Sequence, residues 1–515
     1  MEITFGGGLN EKDDTKVKLE ECTIGYNFEL SLSNTHFKPR LPFSLDGTAT
    51  NAASLNGFVQ LIKNDNTETT LVQAADTVYL WDGSTSFTSK GTVTSTSHLR
   101  GVTWSLGGYS VIVDLDKQTV VKKWDGTTFS TLTTGLGGTA LYAKYGIVHL
   151  GRMWLFNVKA GTDTPHLCVA SAYENPESYD ITKRAQDSSF STGNEAFYMT
   201  TPDLLPINGV CLFMNILIIS TENGRLWKLT GVDSTDFAWT PFYSGSYAIG
   251  TESIANIGND VVYMRNGGVI ESLTSTQEFG DVKADDLSDW IRTTTTGLTE
   301  AITIYDQERQ KVYFFTTSNK LLVLFKEMIV TDLSPWSVYK TNHSSSFMAE
   351  SAIYMRKHGT SSYYTFWGDS TGNIYRMDSD TEGDPSSTAI DTSRRTTVLY
   401  DVVDGDPTGK DLKIKGRVEY KRIADCDLLM DFEWSDDYSI SRCTVPLEGP
   451  PTGDAATYYG GSAYYGGAFY YNTGFFYADR ISTKGFSPVG TGPGVYVTLT
   501  VQSIQEFDIL KIRGT

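Results

Sequence analysis

Three aspartate pairs, Asp114-x-Asp116, Asp404-x-Asp406 and Asp425-x-Asp427, have the residue type and spacing to act as acid/base partners or as two oxygens of a metal site. On a strand, residues two apart share a face. The expectation for all three is therefore a solvated strand face rather than a reactive centre. The six histidines are scattered, and the five cysteines (Cys22, Cys168, Cys211, Cys426, Cys443) form no CxxC pair and no His-flanked cluster. Neither a zinc site nor a disulfide framework is indicated, and buried free thiols are expected. Nucleophile elbows, HExxH, phosphate loops, dinucleotide fingerprints and EF-hand loops are absent from the sequence. The expectation is a protein with no enzymatic activity, no catalytic residue, no metal and no cofactor.

The elements that hold these residues read as β-hairpins. Trp81-Asp82-Gly83 returns 43 residues later as Trp124-Asp125-Gly126, each after a strand-like run and before a Ser/Thr cluster ending in Phe87 or Phe129. Strand, Asp-Gly turn, strand is a hairpin, because glycine accepts the positive φ of a tight turn. The pattern recurs around Asn223-Gly224, Asn266-Gly267, Ser318-Asn319 and Gly372-Asn373, and the Gly107-Gly108 and Gly151-Arg152 turns open two further units. A period of about 40–50 residues built from strands marks a propeller. The fold expected is all-β: a β-propeller of about seven blades, one stretched by an insertion around 181–206, followed by a β-sandwich platform. Ser220-Thr221-Glu222-Asn223-Gly224-Arg225-Leu226-Trp227 resembles the Asp-box of sialidase-type propellers with Glu222 in the Asp position, and Asp369 to Tyr375 echoes it. That box is a blade turn, so it speaks for the fold and leaves activity open.

The 515 residues divide into an arm (1–48) expected to join the platform, the propeller (49–390) and the sandwich (391–515). A short helix is expected at Asp285 to Arg292, capped by Asp285 or Asp286, with Leu287, Trp290 and Ile291 on one face. In the sandwich, Lys413 to Tyr420, Leu428 to Trp434, Arg480 to Phe486, Val495 to Val501 and Phe507 to Ile512 read as strands. A Tyr/Gly-rich insertion at 451–479 interrupts them. Ten of the twenty residues from Tyr458 to Tyr477 are aromatic and none is charged. Such a segment is expected to order against a partner, which makes Tyr458, Tyr459, Tyr464, Tyr465, Phe469, Tyr470 and Tyr471 candidate interface residues. Packing back on its own sandwich is the competing outcome.

The formal net charge is −19, and no basic stripe interrupts it. Gripping nucleic acid requires cations that replace counterions, so tight DNA binding is excluded. An acidic wall would let DNA pass without adhering. No run reaches the roughly 18 apolar residues of a membrane helix, and the start, Met1 to Gly8, lacks the basic and apolar regions of a secretory signal.

Asn27-Phe28-Glu29-Leu30, Phe37-Lys38-Pro39-Arg40-Leu41-Pro42-Phe43 and Gly47 to Ala53, followed by the Trp-Asp-Gly units, resemble the tail hub or nozzle proteins of short-tailed bacteriophages, also described as packaged-DNA stabilisation proteins. Gly151-Arg152-Met153-Trp154, Ala170 to Tyr179, Leu287-Ser288-Asp289-Trp290-Ile291 and the ending from Gly494 to Leu510 carry the resemblance along nearly the whole chain. It implies a virion tail protein, present in the host cytoplasm during assembly, that forms a homohexameric ring around the DNA channel. Its implied partners are further copies of itself, an adaptor ring, tailspikes or fibres and a plug or needle. DNA passes through the channel without specific binding, and no membrane insertion is implied. A carbohydrate-binding or carbohydrate-active propeller is the alternative.

Overall fold

Seven antiparallel four-stranded blades follow one another in the computed structural model, the first two joined by a parallel pairing of Phe58 with Arg100, and the innermost strand of each touches that of the next around a closed circle. The structure describes the chain outside residues 1, 4, 13–17, 19–20, 32–35, 133–138, 180–192, 245–247, 276–281, 342–346, 380–383, 397–410, 414–415, 422–424, 435–439, 448–480, 487–488, 492–494, 504–507 and 515. Blades 1 to 6 occupy residues 55–92, 99–131, 142–200, 207–244, 249–286 and 301–339. Blade 7 takes three strands from 351–376 and its outer strand, Ser44–Thr48, from the arm. The protein is thus a seven-bladed β-propeller. The ring is closed by Ser44–Thr48 pairing with Asn373–Arg376, where Asp46 also accepts from Arg376 at 2.7 Å. A propeller boundary drawn after residue 48 therefore leaves out the strand that closes it.

Local chemistry explains the blades. The two Trp-Asp-Gly units sit at equivalent places, between third and fourth strands, and Gly83 and Gly126 have φ of 86° and 93°. Asp82 Oδ1 accepts from the amides of Ser84 and Ser86, and Asp125 Oδ1 from those of Thr127 and Thr128, so each carboxylate ties its own turn. Trp154 is fully buried between blades 3 and 4, edge-on to Phe197, Phe237 and Trp239. An aromatic side chain moved out of water here contributes about 1.5–3 kcal/mol.

The strands described between residues 390 and 514 form a sandwich with those of the arm. One sheet runs Glu2–Ile3, Asp508–Gly514, Gly416–Lys421, Ile481–Phe486. The other runs Cys22–Tyr26, Ile390–Thr396, Val495–Ser503, Cys426–Trp434, Ile440–Leu447. Val418, Tyr420, Ile509 and Ile512 of the first sheet share one apolar core with Leu428, Met430, Phe432, Val497, Leu499 and Val501 of the second. The alternation in Cys426–Trp434 and Val495–Ser503 directs every second side chain into that core.

The arm then follows the outer strand of blade 6, Trp336–Tyr339. Leu9 N donates to Trp336 O at 2.8 Å and Asn27 N to Val338 O at 2.9 Å. The approach is close enough that a Cβ on Gly8 would lie 2.2 Å from Trp336 O, so only glycine fits.

Two elements differ from the sequence reading. The helix expected at 285–292 is a 3-10 turn, Leu287–Trp290, followed by a single α-helical turn, Arg292–Thr295. Asp286 does cap it, accepting from Ser288 N at 2.9 Å, but Asp285 and Asp286 also pair with Ser272 and Glu271 as the end of Val282–Asp286. The sheet delays the helix start, and the threonine run 293–296 is poor helix material. Part of the presumed insertion after 181 is a regular outer strand of blade 3, Phe197–Thr200.

Candidate functional site

The seven candidate interface aromatics, Tyr458, Tyr459, Tyr464, Tyr465, Phe469, Tyr470 and Tyr471, lie outside the described residues, as do Asp404 and Asp406. Asp425 and Asp427 are exposed, as expected of a solvated face. Asp114 is a correction: it is 1% exposed. Its Oδ1 accepts from the amides of His98 and Asp116, and its Oδ2 from those of Gln118 and Thr119 and from Ser97 Oγ. Five donors satisfy a carboxylate that no solvent reaches, which makes it a turn organiser. Asp369 does the same in blade 7, accepting from the amides of Thr371 and Asn373. Glu222, in the Asp-box position, is exposed.

Chemistry-bearing side chains do converge at the axis of the propeller. Two adjoining cavities of about 380 and 230 Å³ share Leu115, Lys144, Glu252 and Ile302 in their walls. The larger is bordered by His98 and Asp116 from blade 2, Lys144 from blade 3, Thr251 and Glu252 from blade 5, Glu300 before blade 6 and Glu350 before blade 7. The smaller adds Arg100, Tyr145 and Thr303. His98, Glu300 and Glu350 each stand immediately before an innermost strand, Leu99–Trp104, Ala301–Asp306 and Ser351–Arg356 respectively. This position brings a side chain from each of three blades to the same end of the axis.

Within this site Arg100 grips Glu252 with two nitrogens and also donates to Asn56 O at 3.0 Å and Leu99 O at 2.8 Å. Glu252 sits at φ 59°, a left-handed conformation costly for a residue with a Cβ. It is reached through a bulge: pairing with Asp260–Arg265 jumps from Ile249 to Ile254. Ser253 Oγ then accepts from Ala301 N and donates to Ala301 O, both at 2.8 Å, linking blades 5 and 6. Lys144 has only Thr251 Oγ1, at 3.3 Å, as a hydrogen-bond acceptor among the described residues. Burial pushes its amine below the usual lysine range. Burial raises the Tyr145 phenol, whose hydroxyl donates to Asn208 O at 2.8 Å.

His98 Nδ1 pairs with Asp116 Oδ2, and this hydrogen bond raises the imidazole pKa despite burial. A raised folded-state value means that the contact contributes its full stability below about pH 6.5 and loses it as pH rises through the folded value. His98→Gln is expected to lower the urea midpoint at pH 5.5 and to leave a smaller deficit at pH 8.5. An equal loss at both values would refute the ion pair.

As a whole the site can hold a small polar molecule and exchange a proton through His98. No group of three or more His, Cys, Asp or Glu side chains among the described residues is arranged to hold a metal ion. Likewise, among the described residues no helix is long and apolar enough to cross a membrane.

No protein-family model matches the sequence, and no curated protein matches it. Similar solved structures include a catalytically inactive virginiamycin B lyase from Staphylococcus aureus with quinupristin, at 13% identity and a TM-score of 0.42, covering 64% of this chain and 96% of that one. YCF48 from Cyanidioschyzon merolae aligns at 12% identity and a TM-score of 0.40 over 65% of this chain and 98% of its own. The WD40 β-propeller domain of Doa1 aligns at 9% identity and a TM-score of 0.40 over 65% and 96%. The propeller assignment rests on the chain's own seven four-stranded blades and their closed circle of innermost strands.

Proposed function

We propose that this protein is a structural subunit of the tail of a short-tailed bacteriophage, a nozzle or hub in which several copies surround the DNA channel. The observation that carries the reading is where the arm's resemblance motifs fall. Asn27 and Glu29 of the first motif are among the residues that tie the arm to the propeller, through Val338 and Lys311, and Arg40 of the second ties it to Asp384 on the connection between propeller and sandwich. Motifs whose conspicuous residues join two domains suit a part that must transmit load rather than turn over a substrate. The propeller's own axis is no passage for a duplex. Its seven innermost strands touch one another around a closed circle, and the larger axial cavity has a volume of about 380 Å³. A conduit would have to run between copies, with the −19 balance keeping DNA from adhering. The Tyr/Gly-rich segment supplies the contact to a neighbouring subunit or tail component, and no catalysis is assigned.

Negative-stain microscopy and native mass spectrometry of the full chain test this, alongside a variant with 456–477 replaced by a Gly/Ser bridge. Rings of the full chain, lost in a variant that folds normally, are the expected result. A monomer that binds or cleaves glycans would overturn the proposal in favour of the carbohydrate reading.

A further inference from the structure

The axial site has a charge balance that selects its ligand. Four carboxylates, Asp116, Glu252, Glu300 and Glu350, border the larger cavity, and the cations at the two cavities are Lys144, Arg100 and His98. Arg100 is committed to Glu252 and His98 to Asp116. Glu300 and Glu350 are exposed and form no salt bridge among the described residues. Beside these acids the wall carries an apolar stretch, Ala301, Ile302, Phe315, Met348 and Ala349, flanked by Thr316 and Thr317, with Met348 48% exposed. Deeper in, Thr303 is 6% exposed, borders the smaller cavity and has a hydroxyl with no hydrogen-bond partner. A buried hydroxyl without a partner is costly, and a ligand donor reaching it would remove the cost.

These features exclude other ligand classes. An anion would face the unpaired carboxylates. A divalent cation lacks a three-ligand cluster among the described residues. A sugar finds no pair of free aromatic faces, since the aromatic rings in the two walls are Phe315 and Tyr145 alone. What remains is a cationic head on an apolar stem. Lys144 is already such a group: an amine on a butyl chain, whose burial lowers its pKa while Asp116, Glu252 and Glu300 act to hold its charge.

We propose that the axial funnel binds a linear alkyl di- or triamine, one ammonium between Glu300 and Glu350, the methylene stem along Met348 and Ile302, and the far amine directed towards Thr303. The Lys144 side chain competes with the ligand for the inner end. This site is independent of the nozzle reading and stands or falls without it.

Isothermal titration of the full chain with 1,4-diaminobutane and spermidine, at constant ionic strength, tests the site. Saturable one-to-one binding is expected. Glu300→Gln/Glu350→Gln should weaken it at least tenfold, and Lys144→Met should tighten it severalfold. Glu222→Gln/Asp427→Asn removes two exposed charges elsewhere and should leave it unchanged. Thermal unfolding of each variant confirms that it is folded. Absence of saturation, or equal weakening in both double variants, would reduce the effect to general screening of an acidic protein and overturn the proposal. Tighter binding of a lysine-containing tetrapeptide than of spermidine would overturn it in favour of a polypeptide partner.

Discussion

Arg40→Ala is expected to destabilise the protein by about 3–5 kcal/mol, read as a lowered denaturant midpoint. Both Arg40 and Asp384 side chains are 0% exposed, and the guanidinium meets the carboxylate with two nitrogens at 2.8 and 2.5 Å. The remaining donors reach Asn27 Oδ1, Leu41 O and Lys340 O, so one side chain ties the arm, the end of blade 6 and the strand leading to the sandwich. Removing it strands a buried carboxylate whose other donors are Thr341 Oγ1 at 2.7 Å and Phe43 N at 3.4 Å. Asp384→Ala should be comparably damaging. Arg40→Lys should not rescue, because an ammonium cannot reproduce the forked geometry. Arg40→Met combined with Asp384→Leu should recover much of the loss, since an apolar pair carries no desolvation cost. A loss below about 1 kcal/mol in Arg40→Ala, the range of solvated pairs, would show that the pair is not buried in solution.

How much of this was legible depends on how local each feature is. Hairpins such as Ile216–Thr221 with Arg225–Thr230 were readable because apolar runs and the Asn223-Gly224 turn lie within a few residues of one another. Five of the sandwich strands were readable by alternation; Ile390–Thr396, whose Asp391 to Thr396 are all polar, the two-residue Glu2–Ile3, and Ile440–Leu447, whose Arg442, Cys443 and Pro446 blur the pattern, were not. The closing strand Ser44–Thr48 was not readable as part of a blade. Five residues, Ser-Leu-Asp-Gly-Thr, carry no periodicity that names a partner more than 300 positions away. Asp114 was misassigned because spacing of two describes a solvated face and a five-donor cage equally well, and burial is set by the neighbouring turn. The axial site has no linear motif, since its residues come from blades 2, 3, 5, 6 and 7. The usable signal was positional: His98, Glu300 and Glu350 directly precede the first strands of their blades.

Lys311→Met should cost about 3 kcal/mol at neutral pH, and its deficit should depend on pH in a way the parent's stability does not. Lys311 is buried in blade 6 between Glu29 of the arm, at 2.9 Å, and Asp378 at the end of blade 7, at 3.4 Å. Tyr339 donates to Glu29 at 2.6 Å and Tyr313 to Asp378 at 2.8 Å, and Arg309 Nε lies 3.2 Å from Asp378. Burial pulls the Lys311 amine down, but Asp378 and Glu29 outweigh it and hold its pKa above the ordinary lysine value. That contribution is complete below about pH 10.4 and is lost only as pH rises through the folded value, so the parent's ion pairs should be level from pH 5 to 9. In the variant Glu29 keeps no salt-bridge partner among the described residues and Asp378 keeps Arg309, which Asp306 also engages, and a carboxyl buried without its counter-charge favours the protonated form. A carboxyl whose folded value is raised is penalised increasingly above its unfolded value near pH 4, so the deficit should widen between pH 5 and pH 8. Glu29→Gln in the same background should narrow it, because the neutral amide needs no counter-charge. Urea unfolding of the four proteins of the double-mutant cycle at both pH values measures this coupling directly. A deficit that is the same at pH 5 and pH 8 would mean that lost packing of the lysine stem, rather than stranded charge, sets the cost.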